Sequence, residues 1–244
     1  MGEQLNSLGQ PIGFELPDWK PARWPGEENL PLQRLGGRFC RLEPLSAERH
    51  AKNLFAAFRA DEEERIWTYL PYGPFREEAA FTAWTGEMAA KQDPSFFAII
   101  EARSGRALGV ASFLRIEPGT GCIEVGHINY APALQRTPAA TEAMFLMMRA
   151  VFDDLGYRRY EWKCDALNAA SRHAAKRLGF QYEGLFRQAT IYKQRNRDTA
   201  WFSILDREWA ALKQGYEAWL SPANFDAEGR QQRSLSDLTA PAGP

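Results

Sequence analysis

The segment from Cys122 to Ala143 constrains this chain more than any other. Cys122–Tyr130 (CIEVGHINY) has the character of a strand, Ala131–Arg136 is a short loop, and Thr137-Pro138 opens a helix. Threonine caps a helix by accepting a bond from a first-turn N–H. Proline fits the first helical position, where no N–H is needed and φ is already helical. A strand that hands over to a helix so quickly belongs to an α/β layer fold rather than an all-β sandwich or a helical bundle. The helix carries Met144, Met147, Met148, Val151, Phe152 and Leu155 at helical spacing and ends at Gly156. Such a methionine stripe reads as core.

The same alternation extends to both sides. Arg38–Leu45 alternates apolar and polar residues as a half-buried strand does, and Ser46 caps a helix with Leu54, Phe55 and Phe58 on its apolar face. Glu77–Ala90 reads as a second helix with acids at its N-terminal end. Phe96–Glu101 and Ala107–Ile116 are apolar runs joined through Ser104-Gly105, a hairpin signal, and Cys122–Tyr130 extends that meander. Arg158–Cys164 is a further strand. Asn168 caps a helix that Gly179 ends, Phe180–Lys193 and Thr199–Leu205 form a last hairpin, and Asp206–Leu220 a last helix. The expected fold is one α/β domain, a mixed sheet with helices on its faces.

Residues 1–36 hold five prolines and read as an irregular arm draped over the domain, anchored by Trp19 and Trp24. Residues 221–244 are polar, with Phe225, Leu235 and Leu238 as the sizeable apolar groups, and read as a flexible tail. The domain is expected over 37–220.

The formal net charge is −1, which gives no general pull toward nucleic acid or anionic lipid. No apolar run is long enough to span a membrane, and the N-terminus lacks a secretory pattern, so a cytoplasmic protein is expected. Cys40, Cys122 and Cys164 lie far apart, and His50, His127 and His173 lack ligand spacing, so no disulfide framework or metal site is expected.

Four ordered motifs carry a resemblance. Gln135-Arg-Thr-Pro-Ala-Ala140 follows the Glu124 strand, Thr141-Glu-Ala143 comes next, then Asn168-Ala-Ala-Ser171, then Leu178-Gly-Phe180 with Glu183-Gly184. Arg187, Asp198 and Glu208-Trp209 complete the set. Over roughly residues 36–220 the chain resembles the GNAT superfamily of acetyl-CoA-dependent N-acetyltransferases, most like the ribosomal-protein alanine N-acetyltransferase group. The resemblance implies a mostly antiparallel central sheet flanked by helices. It implies acetyl-CoA as co-substrate, splayed between the Glu124 strand and the Trp162 strand, with an amine as acceptor. Gln135, Arg136, Thr137, Ala139, Ala140 and Thr141 would face its pyrophosphate. Asn168 would bond the pantetheine amide, and Ser171 would donate a proton toward the sulfur.

Two departures from the family pattern stand out. Pro138 replaces a glycine and removes one phosphate-facing N–H. Glu124 lies one residue further before Pro132 than the pattern has it, which a β-bulge would absorb.

Amine acetylation needs a base, a polarised carbonyl and a proton for the leaving thiolate. Glu124 is the first candidate for the base, since a carboxylate in an enclosed site has its pKa raised toward the working range. Its bland alternative is an ion pair with a neighbouring arginine. His127 is the second candidate, its ordinary pKa lying near neutrality. A strand N–H near Asn129 and Tyr130 would polarise the carbonyl. Trp67, Tyr69 and Tyr72, between the two early helices, suit an acceptor pocket, or equally a core-covering loop. Tyr192, Arg187, Asp198 and Trp201 would complete it, unless Arg187 and Asp198 are a structural pair. Lys193-Gln-Arg-Asn-Arg197 reads as a solvated hairpin turn.

A binding-only acyl-CoA module is the alternative reading, motivated by Pro138. A nucleic-acid binder using Arg158, Arg159, Lys163 and the 193–197 turn is disfavoured by the balanced charge. Aromatic residues in the arm and the last hairpin fit a homodimer.

Overall fold

The computed structural model describes residues 4–26 and 35–239. A seven-stranded sheet forms the centre, with strands β3 (Cys40–Pro44), β4 (Ser95–Glu101), β5 (Ala107–Glu117), β6 (Cys122–Tyr130), β7 (Arg159–Asp165), β8 (Gln181–Tyr192) and β9 (Arg195–Leu205) in the order β3-β4-β5-β6-β7-β9-β8. Every neighbouring pair is antiparallel except β6 with β7. The expected mixed, mostly antiparallel sheet is therefore present. A small exposed hairpin, β1 (Gln4–Leu5) with β2 (Pro11–Ile12), precedes it.

Side-chain alternation sorts the helices onto two faces. Phe96 of β4 meets Trp84 of α2 (Glu78–Ala89), which packs beside α1 (Ala47–Phe58). Its neighbour Phe97 points the other way, to Phe113, which meets Tyr160. Tyr160 meets Phe152, in the π-helical turn Ala150–Asp154 that ends α3 (Pro138–Arg149), and Phe180, just after α4 (Ala169–Arg177). The methionine stripe lies in this core, Met144, Met147 and Met148 being buried. The caps are those expected: Ser46, Thr137 and Asn168 each accept from a first-turn N–H.

Glu142 explains the Thr-Glu-Ala run. Its buried carboxylate accepts the backbone N–H groups of Arg38 (2.8 Å), Phe39 (2.6 Å) and Cys40 (2.8 Å) and so pins the start of β3 to α3. Gly37 is required beside it, because a Cβ there would lie 2.3 Å from the carboxyl carbon.

Both chain ends differ from, or refine, the sequence reading. In the arm, Trp24 packs edge-on against Phe113, and the Ala22 N–H bonds Pro118 O. At the other end, the stretch expected to be a flexible tail is folded over its described residues. Leu235 of α6 (Leu235–Thr239) is fully buried, and Phe225 packs against Trp219 of α5 (Asp206–Leu220) and against Phe39. Asn224 knits the loop, donating to Trp219 O and Arg233 O and accepting from the Arg233 N–H. Few apolar groups suffice because α5 offers a seat: Gly215 lets the Leu238 carbonyl approach to where a Cβ would stand 2.4 Å away.

Candidate active site

The parallel pair β6–β7 is hydrogen-bonded only from Cys122–Val125 against Arg159–Trp162. Beyond that point the strands separate. The cause sits in β6: its register against β5 shifts between Gly126 and Asn129, so β6 carries one extra residue there, and His127 takes a φ of 51°. This is the bulge that the spacing of Glu124 from Pro132 predicts. It bends β6 away from β7 and opens a cleft of about 1430 Å³ through the middle of the sheet. That volume exceeds an ordinary small-molecule pocket of roughly 300–1,000 Å³, as a long ligand plus a second substrate would require.

Asn129 tests whether the split suits an amide-rich ligand. The residue is buried on the inner edge of β6 and lines the cleft, and its Nδ2 has no protein partner. Buried amide donors are ordinarily bonded, so a free one facing a cleft is a place for a ligand acceptor. Across the split, the Asn168 side chain caps α4 by accepting the Ser171 N–H at 3.0 Å. Trp162 Nε1 donates to Ser171 Oγ at 3.0 Å. That bond occupies a lone pair of the hydroxyl and leaves its proton to donate. The hydroxyl also lies against the thiol of Cys164, whose pKa burial raises.

At the head of α3, Gln135 donates to Tyr130 O (2.9 Å), Arg136 adopts a left-handed φ of 59°, and Thr137 Oγ1 accepts the Ala140 N–H (3.2 Å). Gln135, Arg136, Thr137, Ala140 and Thr141 line the cleft, whereas Ala139 is buried among core residues and does not. Pro138 stands at the first helical position, as expected. Its ring forfeits one donor, Thr137 Oγ1 takes the Ala140 N–H and Thr137 O the Thr141 N–H, so few first-turn donors are left for a ligand.

Glu124 is buried where β6 and β7 are still paired, just before the split. Its carboxylate bonds Lys163 Nζ at 3.0 Å and the Arg115 guanidinium. Burial raises its pKa, and the two cations hold that rise back. Lys163 also bonds Glu161 (2.7 Å) and lies 3.8 Å over the Trp201 ring. The predicted arginine pairing of Glu124 is thus present in a larger network, and it leaves the carboxylate facing the cleft.

His127 occupies a different setting. It stacks on Tyr72, receives or gives a bond at the Tyr72 hydroxyl (3.2 Å) and leans on Phe96. Burial first, then nearby Lys91, Arg115 and Arg197, lowers its pKa to about 4. It is therefore uncharged at neutral pH and a weak base.

The acceptor-side residues divide. Tyr69 lines the cleft and donates to Leu167 O (3.2 Å), and Tyr192 lines it and donates to Asp165 (2.8 Å). Trp67 and Tyr72 lie in an aromatic cluster with Phe58, Phe75, Phe81 and Trp84, so they support the pocket from behind. Arg187 is exposed on the edge strand β8, away from the cleft. Asp198 does not pair with it at bonding distance. It caps a kink in β8, accepting the N–H of Gln188, whose φ is 49°.

The turn expected to be solvated is a clasp. Lys193 Nζ donates to Trp67 O (2.8 Å) and Arg195 to Thr68 O (3.4 Å), tying the β8–β9 tip to the loop between α1 and α2. Lys163, Arg115 and Arg197 line the cleft beyond the residues that the sequence assigned to the site. For Lys163, the i, i+2 alternation Arg159-Glu161-Lys163 on β7 was a usable signal. For Arg115 there was none before the pairing of β5 with β6 was known.

The described residues contain no grouping of His, Cys, Asp or Glu suited to a metal ion, and no helix long and apolar enough to cross a membrane.

Residues 40–181 match the family model described as an acetyltransferase (GNAT) domain. A GCN5-related N-acetyltransferase from Brucella melitensis is 47% identical in sequence, covering 92% of this chain and 99% of its own, with a TM-score of 0.87. A protein from Chromobacterium violaceum ATCC 12472 described as a probable acetyltransferase of the GNAT family is 44% identical, covering 83% of this chain and 98% of its own, with a TM-score of 0.74. The uncharacterized N-acetyltransferase YnaD of Bacillus subtilis (strain 168) is 24% identical over 168 residues, 68% of this chain and 95% of the relative. With more than half its length under the family model and a split β6–β7 pair at its centre, the chain belongs to the GNAT acetyltransferases and is an acetyl-CoA-dependent acyltransferase.

Proposed function

We propose that this acetyltransferase moves the acetyl group of acetyl-CoA directly to a primary amine, on a protein N-terminus or a small molecule, with Glu124 as the base. The observation that carries the reading is a buried carboxylate at the root of the split, facing the cleft, with a raised pKa. Acetyl-CoA supplies an activated acetyl thioester. Asn129 and Asn168 would hold its amide-bearing arm, and Gln135, Arg136, Thr137, Ala140 and Thr141 its phosphates. A backbone N–H near Asn129 and Tyr130 would face the carbonyl oxygen.

Glu124 then accepts a proton from the amine, directly or through one water. Lys163 and Arg115 orient the carboxylate and remain protonated. Ser171, its lone pair occupied by Trp162 Nε1, relays a proton from Oγ to the departing sulfur, and the proton taken from the amine replaces it through water. His127 is disfavoured as the base by its low basicity, which burial causes, and by its bond to Tyr72. Tyr69, Tyr192 and Trp201 form the walls at the acceptor end.

The test is acetyl-CoA turnover over an amine panel, read as free CoA. Wild-type protein is expected to turn over with at least one primary amine, and Glu124→Gln to lower kcat at least about tenfold. Unchanged turnover in that variant removes Glu124 from the base role.

Two further features support the wider reading. The three cysteines are unpaired, which fits the cytoplasm, the location proposed here. The edge strand β8 exposes Tyr182, Leu185, Phe186 and Ile191, and the arm exposes Leu5, Leu8, Ile12, Phe14 and Leu16. Two such apolar surfaces on one chain fit pairing with a second copy.

A further inference from the structure

The far end of the cleft is built in part by the C-terminal segment, beyond the stretch matched by the family model. Arg177 is the residue there that calls for explanation. A cation at the end of a helix gains from the dipole, but such a side chain ordinarily extends into water. This one is half-buried and lines the cleft. Burial lowers its pKa, and no carboxylate among the described residues offsets that cost; the one nearby titratable group that favours its charge is the buried hydroxyl of Tyr216.

Its surroundings are specific. Arg177 Nη1 donates to Thr141 Oγ1 at 3.1 Å, which sets the guanidinium beside α3, at the last of the residues placed on the phosphates. The guanidinium lies 5.5 Å from the centre of the Trp219 ring. Trp219 is held by Phe225, edge-on at 5.4 Å, and by its indole N–H to Gln231 at 2.9 Å. Trp219, Phe225, Gly229 and Gln231 all line the cleft. A guanidinium has five donors in a fork that matches phosphate oxygens, and Thr141 takes only one of them. An aromatic wall with amide groups beside it suits a purine base.

We propose that Arg177, braced on Trp219, binds the 3′-phosphate of the CoA nucleotide, and that the segment carrying Phe225 and Gln231 walls its adenosine. The pyrophosphate is assigned to the loop that opens α3, with the Arg136 guanidinium, whereas Arg177 reaches the cleft from α4. The 3′-phosphate is the remaining anion of the ligand. The inference rests on acetyl-CoA as the donor and deepens that assignment.

Calorimetry on the full chain with CoA and with dephospho-CoA, which lacks only the 3′-phosphate, tests it. The wild type is expected to bind CoA at least about tenfold more tightly. In Arg177→Gln, CoA binding is expected to fall to the dephospho-CoA level while dephospho-CoA binding stays unchanged, and Arg177→Lys is expected to restore part of the preference. Equal affinity for the two ligands in the wild type overturns the proposal without needing any variant. So does an equal loss of both ligands in Arg177→Gln, which would place the guanidinium on the pyrophosphate instead. Failure of the wild type to bind either ligand would count against the donor assignment itself, a separate result.

Discussion

Glu124 and His127 stand three positions apart on one strand and are driven in opposite directions by the same force. Burial disfavours the charged form of each, so it raises the carboxyl and lowers the imidazole. Lys163 and Arg115 keep Glu124 from rising as far as burial alone would take it. A base acts in its ionised form, so activity should fall as pH drops through the raised Glu124 value, above the ordinary glutamate range. The rate profile of kcat/KM with pH should show that acid limb in the wild type and in His127→Asn, and lose it in Glu124→Gln. An acid limb that survives in Glu124→Gln and vanishes in His127→Asn would reverse the two roles. Both residues were recognisable in the sequence as candidates, because acid–base chemistry restricts the side chains that can serve. The ranking of Glu124 before His127 could not draw on Lys163, Arg115 and Tyr72, which reach them only through strand pairing and loop packing.

At the scale of elements, the order and type of strands and helices were legible, since hydrophobic period and cap residues act locally. The β6 bulge was legible too, from a single surplus residue. The folded C-terminal segment was not: Leu235 is buried because α5 presents Gly215 opposite the Leu238 carbonyl, a fit between two elements that neither shows alone. Arg187 failed for a related reason, since alternation along β8 is broken by the kink at Gln188. Glu142 joins elements as well, binding three N–H groups of the β3 entry from the first turns of α3. Glu142→Gln keeps the shape but lacks the charge and turns a donor toward those N–H groups. Hydrogen bonds to a charged group are worth about 1.5–3 kcal/mol each, so the variant should lose roughly 2–4 kcal/mol of stability in a denaturant titration. A loss under about 0.5 kcal/mol would make the contact incidental.

For the whole molecule, the clasp from Lys193 and Arg195 ties the tip of β8–β9 to the loop at Trp67 and Thr68, at the end of the cleft proposed for the acceptor. The charges of that turn suggested a solvated face, and only the fold shows backbone carbonyls within their reach. Outside the clasp, β8 presents a long edge with apolar side chains, a surface that proteins ordinarily cover. Sedimentation equilibrium should therefore give a mass near twice the 27.7 kDa of the chain, and replacing Leu185 and Ile191 together by lysine should return it to that of one chain. A wild-type mass of one chain at micromolar concentration would remove the two-copy reading.

A strand that ends a sheet ordinarily invites any passing chain to bond to it. The separation of β6 from β7 creates two such rims in the middle of the sheet rather than at its border. They face each other across the cleft, flanked by Asn129 on one side and the α4 cap on the other. A partner must then be slender enough to enter edgewise and must carry amide groups in an extended line. These rims lie inside the sheet, flanked by strands that are paired on their outer sides, so they are less open to chance pairing than an outer border would be.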